Sequence, residues 1–321
     1  MKRNIFLPIL LCAIILLPSC IKNGEPVVLP HSEEEMDLSA IAENYPKIDG
    51  STSALPIIQE IYKKIHPFEF INGDKVGTGL PQSVSQTIFS YLLLISGDVD
   101  MIIVPDPSEE VKSIADAKGV ELEYVPICLE ALVFIVNSTT DVDTITTKQI
   151  KSIYTDLQIN NWSQLGGKDI EIDPLVRNSD SGSHALMEKF VLQGEQIDEE
   201  LEEHNVMRSM YIAIERVESY VSGDSYISEL YEGMPIGYTL YYFLQNNKES
   251  QKWHNVKMLN IDGIEPNEQT IASGEYPYST NYFAVIKKDE PQNSPSRKLI
   301  SWLLSPEGQQ ILSNAGFGVI K

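Results

Sequence analysis

Cysteine is scarce in this chain. Three occur in 321 residues, at positions 12, 20 and 128, and no CxxC or CxxH spacing joins them. A structural zinc site is therefore not indicated. Histidine is nearly as rare, with five copies, and none falls in a His-Glu-x-x-His helix. There is also no Gly-x-Ser-x-Gly nucleophile elbow, so the common signatures of metallopeptidases and serine hydrolases are both missing. No metal or organic cofactor is expected. Positive charge is in short supply: 24 Lys and Arg stand against 46 Asp and Glu, for a formal charge of −22. Nucleic-acid binding needs a basic face and is disfavoured. Long apolar runs are absent except at the start. The uncharged stretch from Ile5 to Leu17 falls short of the about 20 residues that span a bilayer. No repeat of 20 to 50 residues is visible.

The features that are present begin at the N-terminus. Lys2 and Arg3 precede the short apolar run, and small residues close it, the order of a secretory signal. The segment ends Leu17-Pro18-Ser19-Cys20, which resembles the lipobox of bacterial lipoproteins. That resemblance implies a signal peptide over 1–19, cleavage before Cys20, and lipidation (a palmitate-type acyl anchor) at Cys20. One acyl chain holds a protein only marginally, so stable anchoring takes more than one. Residues 20–45 read as an acidic, Pro- and Gly-containing tether, including Glu33-Glu34-Glu35, which self-repels and extends. With Cys20 lipidated, Cys128 is left alone in a largely apolar stretch and reads as a buried, inert thiol. Loss of Lys2 and Arg3 with the signal takes the formal charge from −22 to −24. This would repel anions at long range, but the Debye length is only about 8 Å at physiological salt, so local donors decide what binds.

Beyond the tether, helical and strand patterns alternate. Helix spacing appears after Pro56 (Ile57, Ile58, Ile61, Tyr62, Ile65) and over Thr87–Ile95. It recurs from the N-cap Ser108 to Lys118, over Thr147–Tyr154, Gly182–Leu192, Val206–Val221 and Pro295–Leu304, and from the N-cap Ser305 to a stop at Gly316. Strands are expected at Val99–Val104, Ala131–Asn137, Ile170–Val176, Ile236–Thr239 and Tyr282–Ile286. The alternation predicts an α/β fold with mostly parallel sheets, whose ligands bind at the carboxyl ends of strands. About 300 residues exceed one ordinary core and suggest two lobes.

Two motifs carry the candidate chemistry. In Asp49-Gly50-Ser51-Thr52-Ser53-Ala54-Leu55-Pro56, glycine and three hydroxyl residues stand between a strand and a helix. In Val176-Arg177-Asn178-Ser179-Asp180-Ser181-Gly182-Ser183, an arginine ends a strand and Ser-Gly-Ser opens a helix. Exposed N–H groups and the dipole at a helix start attract anions. Hydroxyls add neutral donors, arginine a planar fork, and Gly182 close backbone approach. The alternative is structural: the hydroxyls cap helices, and Arg177 sits in a surface ion pair.

From Ile48 to the C-terminus the chain resembles the phosphate-type substrate-binding proteins of ABC importers, with the type II periplasmic-binding-protein fold. Arg177 with Ser181-Gly182-Ser183 matches the family's Arg-x-x-x-Ser-Gly-Thr/Ser spacing. Asn161-Trp162, Ile236-Gly237-Tyr238 and Ser305-Pro306-Glu307-Gly308-Gln309 are further similar words. The resemblance implies two hinged lobes, 46–130 with 282–321 and 131–281. It implies a monomeric, extracytoplasmic receptor, in the periplasm or at the cell surface, that captures a small inorganic oxyanion, phosphate first, and delivers it to an ABC permease. It places ligand contacts at Ser51, Thr52, Ser53, Thr87, Arg177, Ser181, Gly182 and Ser183. The family's proton-accepting aspartate position is filled here by Pro105, and Asp106 follows one place late. Asp106 either reaches the cleft through a bulge or is a turn residue between two prolines. Other readings keep the fold but bind another oxyanion or an organic anion, as a sensor or adhesin. The chain is not expected to be an enzyme: Ser183 and His184 are adjacent and do not face each other on a helix.

Overall fold

The computed structural model describes residues 38–66, 70–71, 74–75, 79–220, 233–248 and 253–320. The signal segment, Cys20 and the tether as far as residue 37 lie outside the described residues, as does Val221.

Helices form where the sequence supplies an apolar stripe and a start signal. In Leu55–Ile65, Pro56 stands in the first turn, and Ile57, Ile58, Ile61, Tyr62 and Ile65 are buried. Ser108 caps Glu109–Lys118 by accepting from Val111 N, and Gly119, at φ 65°, closes it, a conformation glycine adopts without strain. A short helix, Ser39–Glu43, buries Ile41. It lies inside the range read as tether, which therefore gives way to packed structure before residue 45. Leu38, Ile41, Ala42 and Tyr45 pack onto the core, a stripe too short to stand out beside the acidic run. Among the described residues, no helix is long and apolar enough to cross a membrane.

The strands join in an eight-stranded sheet. Its path runs Ile48–Gly50, Met101–Val104, Ser279–Lys287, Leu122–Asn137, Met234–Leu240 and Ile172–Pro174. Val256–Met258 and Gly318–Val319 also pair with Leu122–Asn137. Ile48–Gly50 is parallel to Met101–Val104, and Met234–Leu240 to Ile172–Pro174. The other pairings in this sheet are antiparallel. The α/β class holds, but the expectation of mostly parallel sheets is corrected. Alternation of helices and strands counts connections and not directions, and two long strands, Leu122–Asn137 and Ser279–Lys287, run against their neighbours.

Leu122–Asn137 is one strand of 16 residues. As far as Ala131 it pairs with Ser279–Lys287, and from Leu132 onward with Met234–Leu240. Pro126 is tolerated within it next to a register shift at Tyr282/Phe283, since proline in sheets is confined to edges and bulges. Cys128 is fully buried here, and burial pushes its thiol well above the usual range.

Two more expectations change in detail. The Ile170–Val176 stretch forms separate strands, Ile172–Pro174 and Val176–Arg177. The helix expected from Val206 starts at Met210, because Val206–Met207 pairs in parallel with Val176–Arg177 and Ser209 caps the helix after it.

Candidate functional site

Four helix starts meet at one cavity of about 140 Å³. The first is the turn Thr52–Ala54 that leads into Leu55–Ile65, and the second is Thr87–Ser96. The third is Gly182–Met187, and the fourth is Met210–Glu218. Their opening residues line the cavity: Ser51, Thr52, Ser53, Thr87, Ser181, Gly182 and Ser183. Arg177 joins them from the end of its strand, so every candidate ligand residue except Asp106 lies on the cavity wall.

The first loop is held by its neighbours and not by capping. Neither Ser51 nor Ala54 makes a side-chain cap. The Ser51 hydroxyl lies 3.0 Å from the Tyr282 hydroxyl, and Ser53 also bonds to Tyr282. Asp49 Oδ1 accepts from Gly50 N and from Ser85 N, each at 2.8 Å, which ties this loop to the segment that carries Gln86 and Thr87. Gln86 has φ 74° and ψ 173°, a region that is nearly glycine-only and that non-glycine residues occupy at a cost. In the second loop Ser181 does cap, accepting from His184 N at 3.2 Å, so the structural role applies there alongside the cavity position.

Arg177 is 6% exposed. Its backbone N–H donates to the Tyr238 hydroxyl at 2.9 Å. Its Nε donates to Ser183 Oγ at 3.3 Å, and its Nη1 to Met207 O. Burial lowers its pKa to about 10, with Tyr238 and Asp180 working in the opposite direction; the guanidinium is still charged at neutral pH. Among the described residues no carboxylate pairs with it, so the surface ion-pair alternative fails. His184 is buried too and is not a surface residue. Among the described residues its Nδ1 has no partner, and Nε2 lies 3.8 Å from Glu188. Desolvation lowers its pKa. Ser183 Oγ contacts Arg177 and Ser181, and among the described residues no hydrogen bond joins it to His184.

Asp106 does not line the cavity. Its Oδ1 accepts from Lys189 Nζ at 2.8 Å and its Oδ2 from Thr280 Oγ1. The bulge that would bring it in does not form; Pro105 instead packs against Gly182, where a Cβ would overlap its ring. Glycine at 182 is what lets these two loops touch.

Sequence reasoning missed Gln86, Asn178, Arg208, Ser209, Met210, Tyr211, Leu240 and Phe243, which complete the lining. Arg208-Ser209 is an arginine beside a helix cap, the same kind of signal as Arg177 with Ser181. The tyrosines at 238, 241, 242, 276 and 278 are buried outside the lining. Among the described residues, no Asp or Glu lines the cavity, and no cluster of His, Cys, Asp and Glu is placed to hold a metal ion.

A family model described as a PBP superfamily domain matches residues 40–307. The phosphate-binding protein PstS of Staphylococcus epidermidis is 26% identical over 272 residues, covering 82% of this chain and 75% of the relative. That of Staphylococcus haemolyticus is 25% identical over 280 residues, covering 84% and 79%. Among solved structures, a putative phosphate ABC transporter substrate-binding protein with bound phosphate from Clostridium perfringens superposes with TM-score 0.62 at 21% identity, covering 85% of this chain and 98% of that one. An ABC-type phosphate transport receptor from Vibrio cholerae gives 0.60 at 19%, with the same coverage. At these identities the structures speak for the fold, a sheet flanked by helices as in type II periplasmic binding proteins. With the family model spanning most of the described chain, this protein belongs to the PBP superfamily.

Proposed function

We propose that this chain is an extracytoplasmic substrate-binding protein that captures phosphate for an ABC importer. The observation that carries the reading is the cavity wall: four helix starts and a buried, carboxylate-free Arg177, with no acidic side chain among the described lining residues, in a chain of 46 acidic residues. Beside the apolar Met210, Leu240 and Phe243, such a wall offers donors and positive potential. The volume agrees. A cavity of about 140 Å³ has room for a small oxyanion together with water around it. The names of the relatives point the same way. Calorimetry against phosphate, sulfate, molybdate and small organic acids tests it; saturable binding of an organic acid with none of phosphate would overturn it.

A second tetrahedral oxyanion, sulfate, is favoured by one observation. Hydrogen phosphate carries a proton that needs an acceptor, and Asp106, the carboxylate next to the position where the family resemblance expects one, is engaged by Lys189 and Thr280 instead. Discrimination against sulfate then falls to neutral acceptors, and the same titrations measure it.

The division into lobes, 46–130 with 282–321 and 131–281, belongs to this proposal. The partner switch at Ala131/Leu132 supports it. Closure brings Gly182 against Pro105 and Asp106 to Lys189. Phosphate is therefore expected to reduce the radius of gyration of the wild-type protein and not that of Gly182→Val, whose side chain props the loops apart. Equal compaction of both would count against a hinged cleft.

Anchoring through Cys20 is also proposed, from the lipobox-like end of the apolar segment. Cys20→Ala is expected to move the protein from the membrane fraction to the soluble fraction with phosphate affinity unchanged. Membrane retention at the wild-type level would show that the anchor lies elsewhere.

A further inference from the structure

Four arginines lie among the described residues. Two are committed to carboxylates: Arg216 to Asp173 at 2.7 Å and Arg297 to Glu123 at 2.9 Å. The other two, Arg177 and Arg208, make no ion pair among the described residues, and both line the cavity. With acidic residues outnumbering basic ones by 46 to 24, an arginine without a carboxylate is the exception. That both exceptions share one cavity points to an external anion. The backbone explains how they come together. Val176–Arg177 and Val206–Met207 are parallel and in register, Arg177 opposite Met207, so Arg208 comes next at the same carboxyl end. Arg177 is buried, whereas Arg208 is exposed at the rim.

We propose that Arg208 supplies the second positive charge of the site and makes it selective for dianions over monoanions. The proposal rests on the oxyanion reading above. Arg177 alone, buried with a dianion, leaves a net negative charge in a desolvated place. A second cation at the rim attracts a dianion about twice as strongly as a monoanion at the same distance, so it favours the doubly charged form. Two arginines match a dianion, and the acidic surface elsewhere contributes little beyond a Debye length of about 8 Å.

Inorganic phosphate itself provides the test, because it passes from mainly monoanion at about pH 5.5 to mainly dianion at about pH 8, its second pKa lying near that of a phosphoryl group. Dissociation constants are compared at both pH values for wild type, Arg208→Gln and Arg208→Lys. His184, Glu130 and the other ionisable groups are common to all three proteins, so any contribution of theirs cancels in the comparison. Arg208→Gln is expected to bind about tenfold more weakly at the higher pH with a much smaller loss at the lower. Arg208→Lys should stay close to wild type, since an exposed point charge suffices here. The unliganded melting temperature should not move, because the Arg208 side chain has no partner to lose among the described residues. An equal loss at both pH values, or none at the higher, overturns the proposal. A wild-type protein that binds neither phosphate nor sulfate removes the oxyanion reading and this proposal with it.

Discussion

Arg177→Ala is expected to weaken phosphate binding by at least about a hundredfold. Each hydrogen bond to a charged group is worth about 1.5–3 kcal/mol, and the guanidinium offers two to an oxyanion in a fork. Losing both costs roughly 3 kcal/mol or more, and about 1.4 kcal/mol is tenfold in affinity. Arg177→Lys should recover only part, because an ammonium cannot reproduce the planar pair. The unliganded protein is not expected to be indifferent. Arg177 is buried and its Nη1 serves Met207 O, so the alanine variant should also lose about 1–3 kcal/mol of stability. Calorimetry and thermal unfolding of both variants separate the two effects. Near-wild-type affinity in a folded Arg177→Ala protein would sink the proposed site.

Glu130→Gln is expected to stabilise the protein at alkaline pH and to leave it nearly unchanged near pH 5. Glu130 is wholly buried in the long strand Leu122–Asn137. Its Oε1 accepts from Ala131 N at 2.9 Å and Tyr242 N at 3.1 Å, while Oε2 has no partner among the described residues. Burial raises its pKa from 4.5 to about 8, against the smaller opposing effect of those N–H donors. An acid whose folded pKa is raised favours the fold in its neutral form. That stability is fully present below the unfolded pKa of 4.5 and declines as pH rises toward about 8. Glutamine keeps the accepting oxygen and cannot ionise. A shift of this size is on the order of a few kcal/mol, and 1 kcal/mol moves the melting temperature of a large domain by about 2–4 °C. The variant should therefore melt several degrees above wild type at about pH 8.5. Melting curves that fall in parallel for the two proteins between about pH 5 and 8.5 would show that Glu130 does not ionise in this way.

How far the site was legible in the sequence depended on how local each signal was. Arg177 and Ser181-Gly182-Ser183 form one contiguous word in which strand end, cation and helix start are all readable. Ser51 to Ser53 read as a helix start, but the tie to Tyr282 joins positions far apart in the chain. Arg208 stayed hidden for a definite reason. Val206 continues the apolar spacing of Met210, Ala213, Ile214 and Val217, so the helix reads as starting four residues early. Pairing with Val176–Arg177 overrides that pattern and turns Arg208 into a strand-end residue. Asp106 was ambiguous because its fate depends on Lys189, 83 positions away. Sheet direction was illegible for a related reason: Pro126 and Glu130 interrupt the apolar run, so only its second half, Ala131–Asn137, reads as a strand.

The long strand also governs how the molecule comes into being. Ala131 pairs with Ser279, Lys287 closes the same ladder at Leu122, and Cys128 pairs with Val319 near the very end of the chain. Ladders between such distant segments form only after large loops have closed, which makes contact order high and folding slow. A growing chain that stops before Ser279 exposes the Leu122–Ala131 ladder as an open edge, the kind of template on which strands of other molecules add. The protein is thus one whose folding waits for the final stretch from Ser279 onward, and whose unfinished copies need to be kept apart until those residues arrive.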